Sequence, residues 1–127
     1  MEVTEIYKAL ADLQRVRLLN LIQTSPLCVC HLQGLLNAPQ VKISKQLAYL
    51  KTLGLAEAER RRNWMIYRMK QPVHRILNSN LEQLREAKDS TGRQLQADLR
   101  ARTQLLRQLT KSETTCPEIL LNTLCKP

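Results

Sequence analysis

Two cysteines separated by a single residue carry the most distinctive chemistry in this sequence. Cys28 and Cys30 flank Val29, and His31 follows directly. Thiolates are soft ligands that select thiophilic ions such as Cu(I) and Zn(II), and trivalent arsenic, which prefers a pyramid of three sulfurs, is similarly thiophilic. An isolated cysteine usually behaves as a small buried hydrophobe, but packing does not readily explain two so close together in a chain with 4 cysteines. The pair therefore predicts a binding site for a soft metal or metalloid.

The spacing of this pair has a conformational consequence. In a regular helix of 3.6 residues per turn, residues two apart project about 200° away from each other. Both sulfurs can bind one atom only if the helix is frayed or distorted at residues 28–30. A ligand that binds one shape more tightly shifts the population toward that shape. We therefore expect a bound ion to deform this segment.

The remaining cysteines and the histidines are weaker candidates for the same chemistry. The separation of Cys116 and Cys125 matches no tight chelate, and chain termini are often disordered, so these two are either bystanders or ligands that a folded tail brings back. Zinc is often bound by histidine, but the unrelated positions of His31 and His74 are more typical of surface or packing residues. The predicted metal ligands are Cys28 and Cys30, with Cys116 and Cys125 as alternative sources of a third sulfur.

The charge of the chain indicates an anionic partner. The formal net charge is +9 at pH 7, which favours nucleic acid or a membrane surface. Three consecutive arginines occupy residues 60–62, and Lys42, Lys45 and Lys51 precede them, so the charge is clustered as on a phosphate-facing surface. The first residues lack a basic region followed by an apolar one, and no apolar run is long enough to cross a bilayer. We therefore expect a cytoplasmic protein without a membrane partner, in which the cysteines are kept as thiols.

Helical periodicity marks three segments in the first half of the chain. Apolar residues at helical spacing predict helices over residues 4–23, 28–37 and 40–53, separated by turn signals. The third helix has one apolar stripe and an otherwise polar, basic surface, which is typical of a helix that reads the DNA major groove. The side chains of this helix that are predicted to contact bases or the DNA backbone are Gln40, Lys42, Ser44, Lys45, Gln46 and Tyr49.

The hydrophobic period changes directly after this helix. Residues 55–59 and 64–69 can be read as two strands joined by a turn, and the second strand shows alternation. A hairpin that follows a DNA-reading helix is a wing. Arg60, Arg61 and Arg62 of this wing are predicted to contact phosphates or the adjacent minor groove.

These elements predict a mainly α fold with a small β-hairpin, a winged helix–turn–helix. With no Phe, 1 Trp and 3 Tyr, the core must come from aliphatic side chains, which favours packed helices. We expect a winged helix–turn–helix domain over residues 1–90, and a C-terminal helix with a cysteine-containing tail over residues 91–127. The sequence contains no paired-carboxylate, Ser/His/Asp or phosphate-loop pattern. We therefore expect neither an enzyme nor an organic cofactor.

The segment LCVCHL at residues 27–32, followed by QVKISKQLAYL at residues 40–50 and GL at residues 54–55, resembles the ArsR/SmtB family of metal-responsive repressors. The resemblance covers roughly residues 5–70 and is specific in combination. It implies a homodimer of winged-helix protomers, paired through terminal helices and bound to a palindromic operator in double-stranded DNA. The Leu-Cys-Val-Cys pattern implies the arsenic-sensing branch, in which these two thiols bind As(III), the inducer.

The chain departs from the pattern of that family in several places. His31 stands where Asp is common, and the third Cys that is usual near Gln33 is absent. Arg62 and Asn63 occupy the wing turn, where Gly is usual, and the tail after residue 90 is longer than the common form. The missing local Cys leaves two forms of coordination: two thiols alone, or two thiols with a third sulfur from Cys116 or Cys125.

The leading hypothesis is a repressor that dissociates from its operator when cysteine thiolates bind As(III), Sb(III) or a methylated arsenical. The missing third Cys leaves a Cd-, Pb- or Zn-responsive repressor open. A redox switch formed by Cys28 and Cys30 is also open, although cysteines this close form only a strained ring. A metal-storage or metal-delivery protein is the alternative from another class, and it would leave the helix–turn–helix and the basic wing unexplained.

Overall fold

A computed structural model of the protein describes residues 2–111, which form six α-helices and one three-stranded antiparallel sheet. The elements in chain order are α1 (Val3–Leu10), α2 (Leu13–Ile22), β1 (Leu27–Cys28), α3 (Val29–Leu36), α4 (Gln40–Thr52), β2 (Ala56–Arg61), β3 (Trp64–Met69), α5 (Arg75–Glu86) and α6 (Ser90–Lys111). In this described part, no helix combines the length and the apolar character that a membrane span needs.

The first predicted helix is two helices, so the prediction of one helix over residues 4–23 was wrong. Ala11 and Asp12 interrupt it, and Asp12 is extended at the N-cap of α2, where its Oδ1 accepts a hydrogen bond of 3.1 Å from the backbone N–H of Arg15. An Asp at an N-cap satisfies a backbone donor that has no partner within the helix. This local interaction ends the helical run although the apolar spacing continues through it.

Helices α3 and α4 form the helix–turn–helix. Asn37 ends α3 in the left-handed conformation, with φ 51° and ψ 52°, which Asn adopts more readily than most residues. Pro39 then lies at the N-cap of α4. The inward sides of α3 and α4 meet through buried leucines and isoleucine, and they share one apolar core with α2. The short turn and the shared core therefore hold α4 in place, while the outer surface of α4 stays exposed.

The sheet contains a strand that the sequence analysis did not predict. Its order is β1-β3-β2, and the two residues of β1 pair with the middle strand, Leu27 with Tyr67 and Cys28 with Ile66. A strand of two residues is too short to show a period of its own. Its pairing attaches the start of α3 directly to the hairpin.

The hairpin of β2 and β3 closes through a two-residue turn. The register runs from Ala56 opposite Met69 to Arg61 opposite Trp64, which leaves Arg62 and Asn63 as the turn. Arg62 has a φ of 55°, in the left-handed region that costs a side chain with a Cβ free energy. The turn therefore holds an arginine where the backbone conformation favours glycine.

Helix α6 packs against α2 through charged groups as well as apolar ones. The guanidinium of Arg17 donates two hydrogen bonds, of 2.8 and 3.0 Å, to the buried carboxylate of Asp98. The buried Arg102 donates to the carbonyl of Leu21 at 2.9 Å, and Leu95 belongs to the core. The first half of α6 is thus fastened to the helix–turn–helix domain. The division of the chain into a domain over residues 1–90 and a C-terminal region over residues 91–127 stays a prediction.

We predict that Arg62→Gly leaves the free energy of unfolding unchanged or raises it by up to about 1 kcal/mol, because glycine removes the strain of the left-handed backbone. Arg60→Gly is the matched control. It removes the same side chain from an exposed strand position and should cost about 0.5–1 kcal/mol. Urea denaturation followed by circular dichroism measures both. An equal loss of stability in the two variants would contradict the strain at Arg62.

Candidate metal centre and nucleic-acid interface

The two thiols lie at the junction between β1 and α3. Cys28 is the N-cap of α3 in extended conformation, with φ −84° and ψ 159°, and Cys30 lies in the first helical turn. The helix was predicted to begin at Cys28, and this was wrong by one residue because Cys28 pairs with Ile66 in the sheet. The expected 200° divergence of the two side chains therefore does not arise, and no distortion of the helix is needed to bring the sulfurs together.

Three ligand atoms converge at this junction. The Sγ atoms of Cys28 and Cys30 are 2.7 Å apart, and Cys28 Sγ is 3.1 Å from His31 Nδ1. All three atoms lie within 4.8 Å of one another. Cys28 is 1% exposed, His31 is half-buried and Cys30 is exposed. The sequence analysis treated His31 as a surface or packing residue, and the structure instead places it beside the two thiols.

The surroundings of these groups change their acidity. A hydrogen bond from the Cys28 thiol, assisted by the backbone N–H groups of Cys30 and His31, outweighs partial burial and lowers the pKa of Cys30 to about 7. Burial lowers the pKa of His31, because desolvation disfavours the imidazolium. At neutral pH the site therefore holds a substantial fraction of thiolate and an imidazole in its neutral, metal-binding form.

A cavity of about 650 Å³ extends from the thiols to the elements that were predicted to contact DNA. Its wall includes side chains from the start of α3, from the first turns of α4 and from the hairpin. Those that matter here are Cys28, Cys30, Gln40, Ser44, Arg60 and Trp64. The ring of Trp64 also lies 6.1 Å from that of His31, centroid to centroid. The thiol site, the start of α4 and part of the hairpin thus line the same open cavity.

The exposed surface of α4 is polar and basic, but it also includes an exposed valine. Gln40, Lys42 and Lys45 are exposed and Ser44 is half-buried. Val41, which the sequence analysis did not select, is 67% exposed between two of them. An apolar side chain at this place can contact a thymine methyl group in the major groove. Its isolation on a polar surface was visible in the sequence, once the inward stripe of α4 was assigned.

Arg15 ties the remaining α4 candidates to the preceding helices. Its guanidinium donates to the carbonyls of Ala9 and Lys8, at 3.1 and 2.8 Å, and to Gln46 Oε1 at 3.3 Å. It also lies over the ring of Tyr49, 4.8 Å from the centroid. Gln46 and Tyr49 are half-buried as a result. Arg15 therefore orients α4, and direct contact of Gln46 and Tyr49 with DNA stays a prediction.

The wing arginines are all available to an anionic partner. Arg60, Arg61 and Arg62 are exposed at the tip of the hairpin. Arg61 lies 3.5 Å from a carboxylate oxygen of Glu59, in a pair that is half-exposed and therefore weak. Glu59 is held more closely by Arg68, at 3.0 Å. All three side chains are thus exposed at the end of the sheet, and Arg60 also lines the cavity.

The donor set fits a thiophilic ligand but is one sulfur short of the site that As(III) prefers. Within residues 2–111 the ligands that converge are two sulfurs and one nitrogen. Cys116 and Cys125, the two other predicted sulfur ligands, lie outside the described residues. Thiolates are the ligands that select soft ions, so the two converging sulfurs provide part of such a site.

We predict that Cys30 reacts with iodoacetamide with a rate that reaches half its maximum near pH 7, since the thiolate is the nucleophile. Cys28→Ser should move this midpoint upward, because the Cys28 hydrogen bond is the largest factor that lowers the pKa of Cys30. Peptide mass spectrometry of the metal-free protein measures the reaction at Cys30 alone. A midpoint near 9 in the parent protein would contradict the described hydrogen bonding.

Comparison with known proteins identifies the family. The family described as "bacterial regulatory protein, arsR family" matches residues 12–58, from the cap of α2 to the first hairpin strand. The chain is 36% identical over 83 residues to the arsenic resistance transcriptional regulator ArsR2 of Pseudomonas putida, an alignment that spans 61% of this chain and 72% of that protein.

Solved structures share the fold at lower sequence identity. Reduced HlyU from Vibrio cholerae is 23% identical, with a TM-score of 0.59 over 65% of this chain and 84% of that chain. The homodimeric winged helix–turn–helix domain of Mb0332 from Mycobacterium bovis, a possible ArsR-family regulator, is 23% identical, with a TM-score of 0.54 over 68% of this chain and 85% of that chain. The predicted fold, mainly α with a small β-hairpin in a winged helix–turn–helix, is confirmed. The chain belongs to the ArsR family of bacterial transcriptional regulators.

Proposed function

We propose that this regulator is a repressor that binds operator DNA as a homodimer and leaves it when Cys28 and Cys30 bind As(III). The observation that carries this proposal is the shared cavity, whose wall includes both thiols, the N-terminal part of α4 and the tip of the hairpin. A ligand bound by the thiols would therefore lie in the same cavity as parts of the elements that we propose contact DNA. The relative from Pseudomonas putida named for arsenic resistance supports the choice of arsenic.

The DNA-binding surface that we propose consists of the outer side of α4 and the wing. Gln40 and Val41 would reach base edges from the first turn of α4, where recognition helices make most of their base contacts. Lys42, Lys45 and the wing arginines would neutralise phosphates, which supplies affinity without sequence information. The remaining proposed contacts are Ser44, Gln46 and Tyr49.

The link between the thiols and DNA rests on how each cysteine is held. Cys28 is paired with Ile66 in β3, whereas Cys30 lies in the first turn of α3. α3 packs against α4. An atom bound to both sulfurs therefore joins the wing to the helix that supports α4. Binding of As(III) releases the protein from DNA if the conformation with both sulfurs bound differs from the conformation that fits DNA. A ligand shifts such an equilibrium only through its different affinities for the two conformations.

Binding of arsenite replaces oxygen on arsenic by sulfur. As(OH)₃ reacts with the two thiols to give a dithiolate that keeps one hydroxyl group on arsenic, and two molecules of water leave with the two thiol protons. A third thiol, from Cys116 or Cys125, would displace the last hydroxyl as a third water. Sb(III) and methylated arsenicals react with thiols in the same way, and a methyl group would occupy the third position on arsenic.

A homodimer agrees with exposed apolar side chains near the start of the chain. Val3 is 40% exposed and Tyr7 is 51% exposed on α1, and Leu13 is 50% exposed at the start of α2. Apolar groups of this size are costly in water, and burial against a second copy would remove that cost. The domain of Mb0332 is homodimeric. Two copies would place two α4 helices on successive half-sites of a palindrome.

We predict that stoichiometric As(III) releases the protein from DNA. The probe is a fluorescein-labelled duplex that the protein itself selects from a random-sequence pool, and fluorescence anisotropy is read under reducing conditions. Cys28→Ser and Cys30→Ser should bind the duplex with unchanged affinity and should not respond to As(III), because neither keeps two sulfurs at the site. Sb(III), Cd(II) and Zn(II) are titrated alongside.

The controls for this experiment separate the alternatives. The double variant Cys116→Ser/Cys125→Ser tests the third ligand, since a weaker response there would assign it to the tail. Equal loss of DNA binding in Cys28→Ser and Cys30→Ser would show that the thiols are structural. Persistent binding with every ion would contradict the sensor, and tight binding of metal without any selected duplex would favour metal storage or delivery.

We also predict that the triple variant Arg60→Gln/Arg61→Gln/Arg62→Gln weakens binding to all duplexes by a similar factor. The logarithm of the DNA-binding constant falls as the logarithm of the salt concentration rises. Each phosphate that is no longer neutralised should make this negative slope less steep by about 0.9. Lys70→Gln/Arg75→Gln/Lys88→Gln is the matched control, because it removes the same charge from exposed positions outside the helix–turn–helix, the hairpin strands and the terminal helices α1 and α6. A sharply altered base preference at one operator position would show that the wing reads sequence instead.

A redox response of the same two thiols is the second candidate. The 2.7 Å between the sulfurs and the lowered pKa of Cys30 favour attack of this thiolate on hydrogen peroxide, which gives the sulfenic acid of Cys30 and releases hydroxide. The Cys28 thiol then condenses with the sulfenic acid, which forms the disulfide and releases water. Release of DNA by hydrogen peroxide, reversed by dithiothreitol and absent in Cys28→Ser, would support it.

A further inference from the structure

We propose that the cavity between α3, α4 and the hairpin binds a small planar aromatic carboxylate, whose ring lies against Trp64 and whose carboxylate is held by Arg60. The inference needs neither the two thiols nor the binding of arsenic or DNA, because it rests on other side chains of the cavity wall. The cavity would therefore receive an organic ligand in addition to the soft ion of the proposed function.

The cavity is larger than a soft ion requires. Its volume of about 650 Å³ falls within the range of about 300–1,000 Å³ that is typical of sites for small organic molecules. A water molecule takes up about 30 Å³ of the liquid, so an arsenic atom with one or two small substituents would leave most of this volume free. The size of the cavity therefore favours a ligand with a carbon skeleton.

The hairpin contributes one face of its strands to the cavity wall. Arg60 lies opposite Met65 in the register, and directly opposite residues lie on the same face of a sheet. Tyr67 follows Met65 by two positions and so shares that face. All three residues line the cavity, and Trp64 joins them next to the turn. This part of the wall therefore combines aromatic and apolar surface with one guanidinium group.

Another part of the wall is polar and carries no negative charge. Gln40 and Ser44 are four residues apart on α4, which places them on one side of that helix, and both line the cavity. Asn63 of the hairpin turn lines it as well. Neither Asp nor Glu occurs among the described residues of the cavity wall. The cavity thus offers hydrogen-bond donors together with a cation, which favours an anionic ligand.

A carboxylate attached to an aromatic ring matches this combination. The guanidinium of Arg60 can donate two parallel hydrogen bonds to one carboxylate, and the hydroxyl of Ser44 and the amides of Gln40 and Asn63 are further donors in the cavity wall. A flat ring gains from contact with Trp64, since aromatic pairs are more favourable than the burial of their area alone. An aliphatic acid would lack the ring contact, and a neutral aromatic compound would lack the ion pair.

The test is isothermal titration calorimetry of the full-length, DNA-free protein with 2-naphthoate under reducing conditions. Arg60→Gln should weaken binding about tenfold, because it removes a hydrogen bond to a charged group. Arg61→Gln is the matched control, because Arg61 is the next residue on the same strand, is also exposed and does not line the cavity. It should bind 2-naphthoate like the wild type. Equal losses in the two variants would overturn the proposal, since they would show attraction to the basic wing as a whole.

The charge and the ring of the ligand are tested separately. The uncharged analogue 2-naphthamide should bind about tenfold more weakly than 2-naphthoate, and equal binding of the two compounds would contradict the ion pair. Trp64 is the single tryptophan of the chain, so 2-naphthoate should change the intrinsic tryptophan fluorescence of the protein. Trp64→Leu should keep the circular dichroism spectrum of the wild type and weaken binding by about two- to tenfold. Unchanged affinity in this variant would contradict the ring contact.

A last variant separates this site from the thiol site. Cys28→Ser/Cys30→Ser should bind 2-naphthoate like the wild type, because the proposed contacts come from other residues of the cavity wall. The absence of binding to the wild-type protein, or its loss in this double variant, would overturn the proposal. Neither result depends on whether As(III) releases the protein from DNA, so the two proposals fail or hold independently.

Discussion

The antiparallel pairing of Cys28 with Ile66 is the constraint on which the site depends. It holds Cys28 in extended conformation, so that α3 begins at the next residue and its first turn brings Cys30 and His31 toward the Cys28 sulfur. The same pairing fastens that sulfur to β3, the strand that leads back from the wing tip. A short backbone contact thus assembles the ligand cluster and attaches it to the hairpin at the same time.

The helices around the ligand cluster are held together by side-chain contacts, which limit how a displacement of the cluster can spread. On one side, α2 is held to α6 by the Arg17–Asp98 pair and by the contact of Arg102 with a carbonyl of α2. On the other, Arg15 of α2 donates to backbone carbonyls at the end of α1 and contacts Gln46 and Tyr49 of α4, so it links these three helices. Close-packed interiors transmit strain and do not absorb it. Couplings between sites are typically about 1–3 kcal/mol, and a coupling between the thiols and α4 would have to be of that order.

Burial and hydrogen bonding act on different members of the cluster. Burial of Cys28 and partial burial of His31 remove water from the ligands, which favours the neutral imidazole, while the hydrogen bond between the thiols favours the thiolate of Cys30. The exposed position of Cys30 gives the ligand a route of entry. In this arrangement one residue provides the fixed sulfur, one provides reactivity, and one adds nitrogen to the donor set.

Much of this protein was determined by the sequence alone. The helix–turn–helix, the hairpin, the basic wing and the paired thiols all follow from short-range patterns of apolar period, charge and spacing, which neighbouring residues fix. The tertiary structure decided what depends on pairing between distant residues. The strand at Cys28 exists only because β3, almost forty residues later in the chain, offers it hydrogen bonds, and the same pairing removed the helical divergence expected at residues 28–30. The place of His31 in the cluster and the cavity shared with the wing likewise depend on how β1, α3 and the hairpin come together. The break at Asp12 is different, because it is a local N-cap that the apolar period does not record.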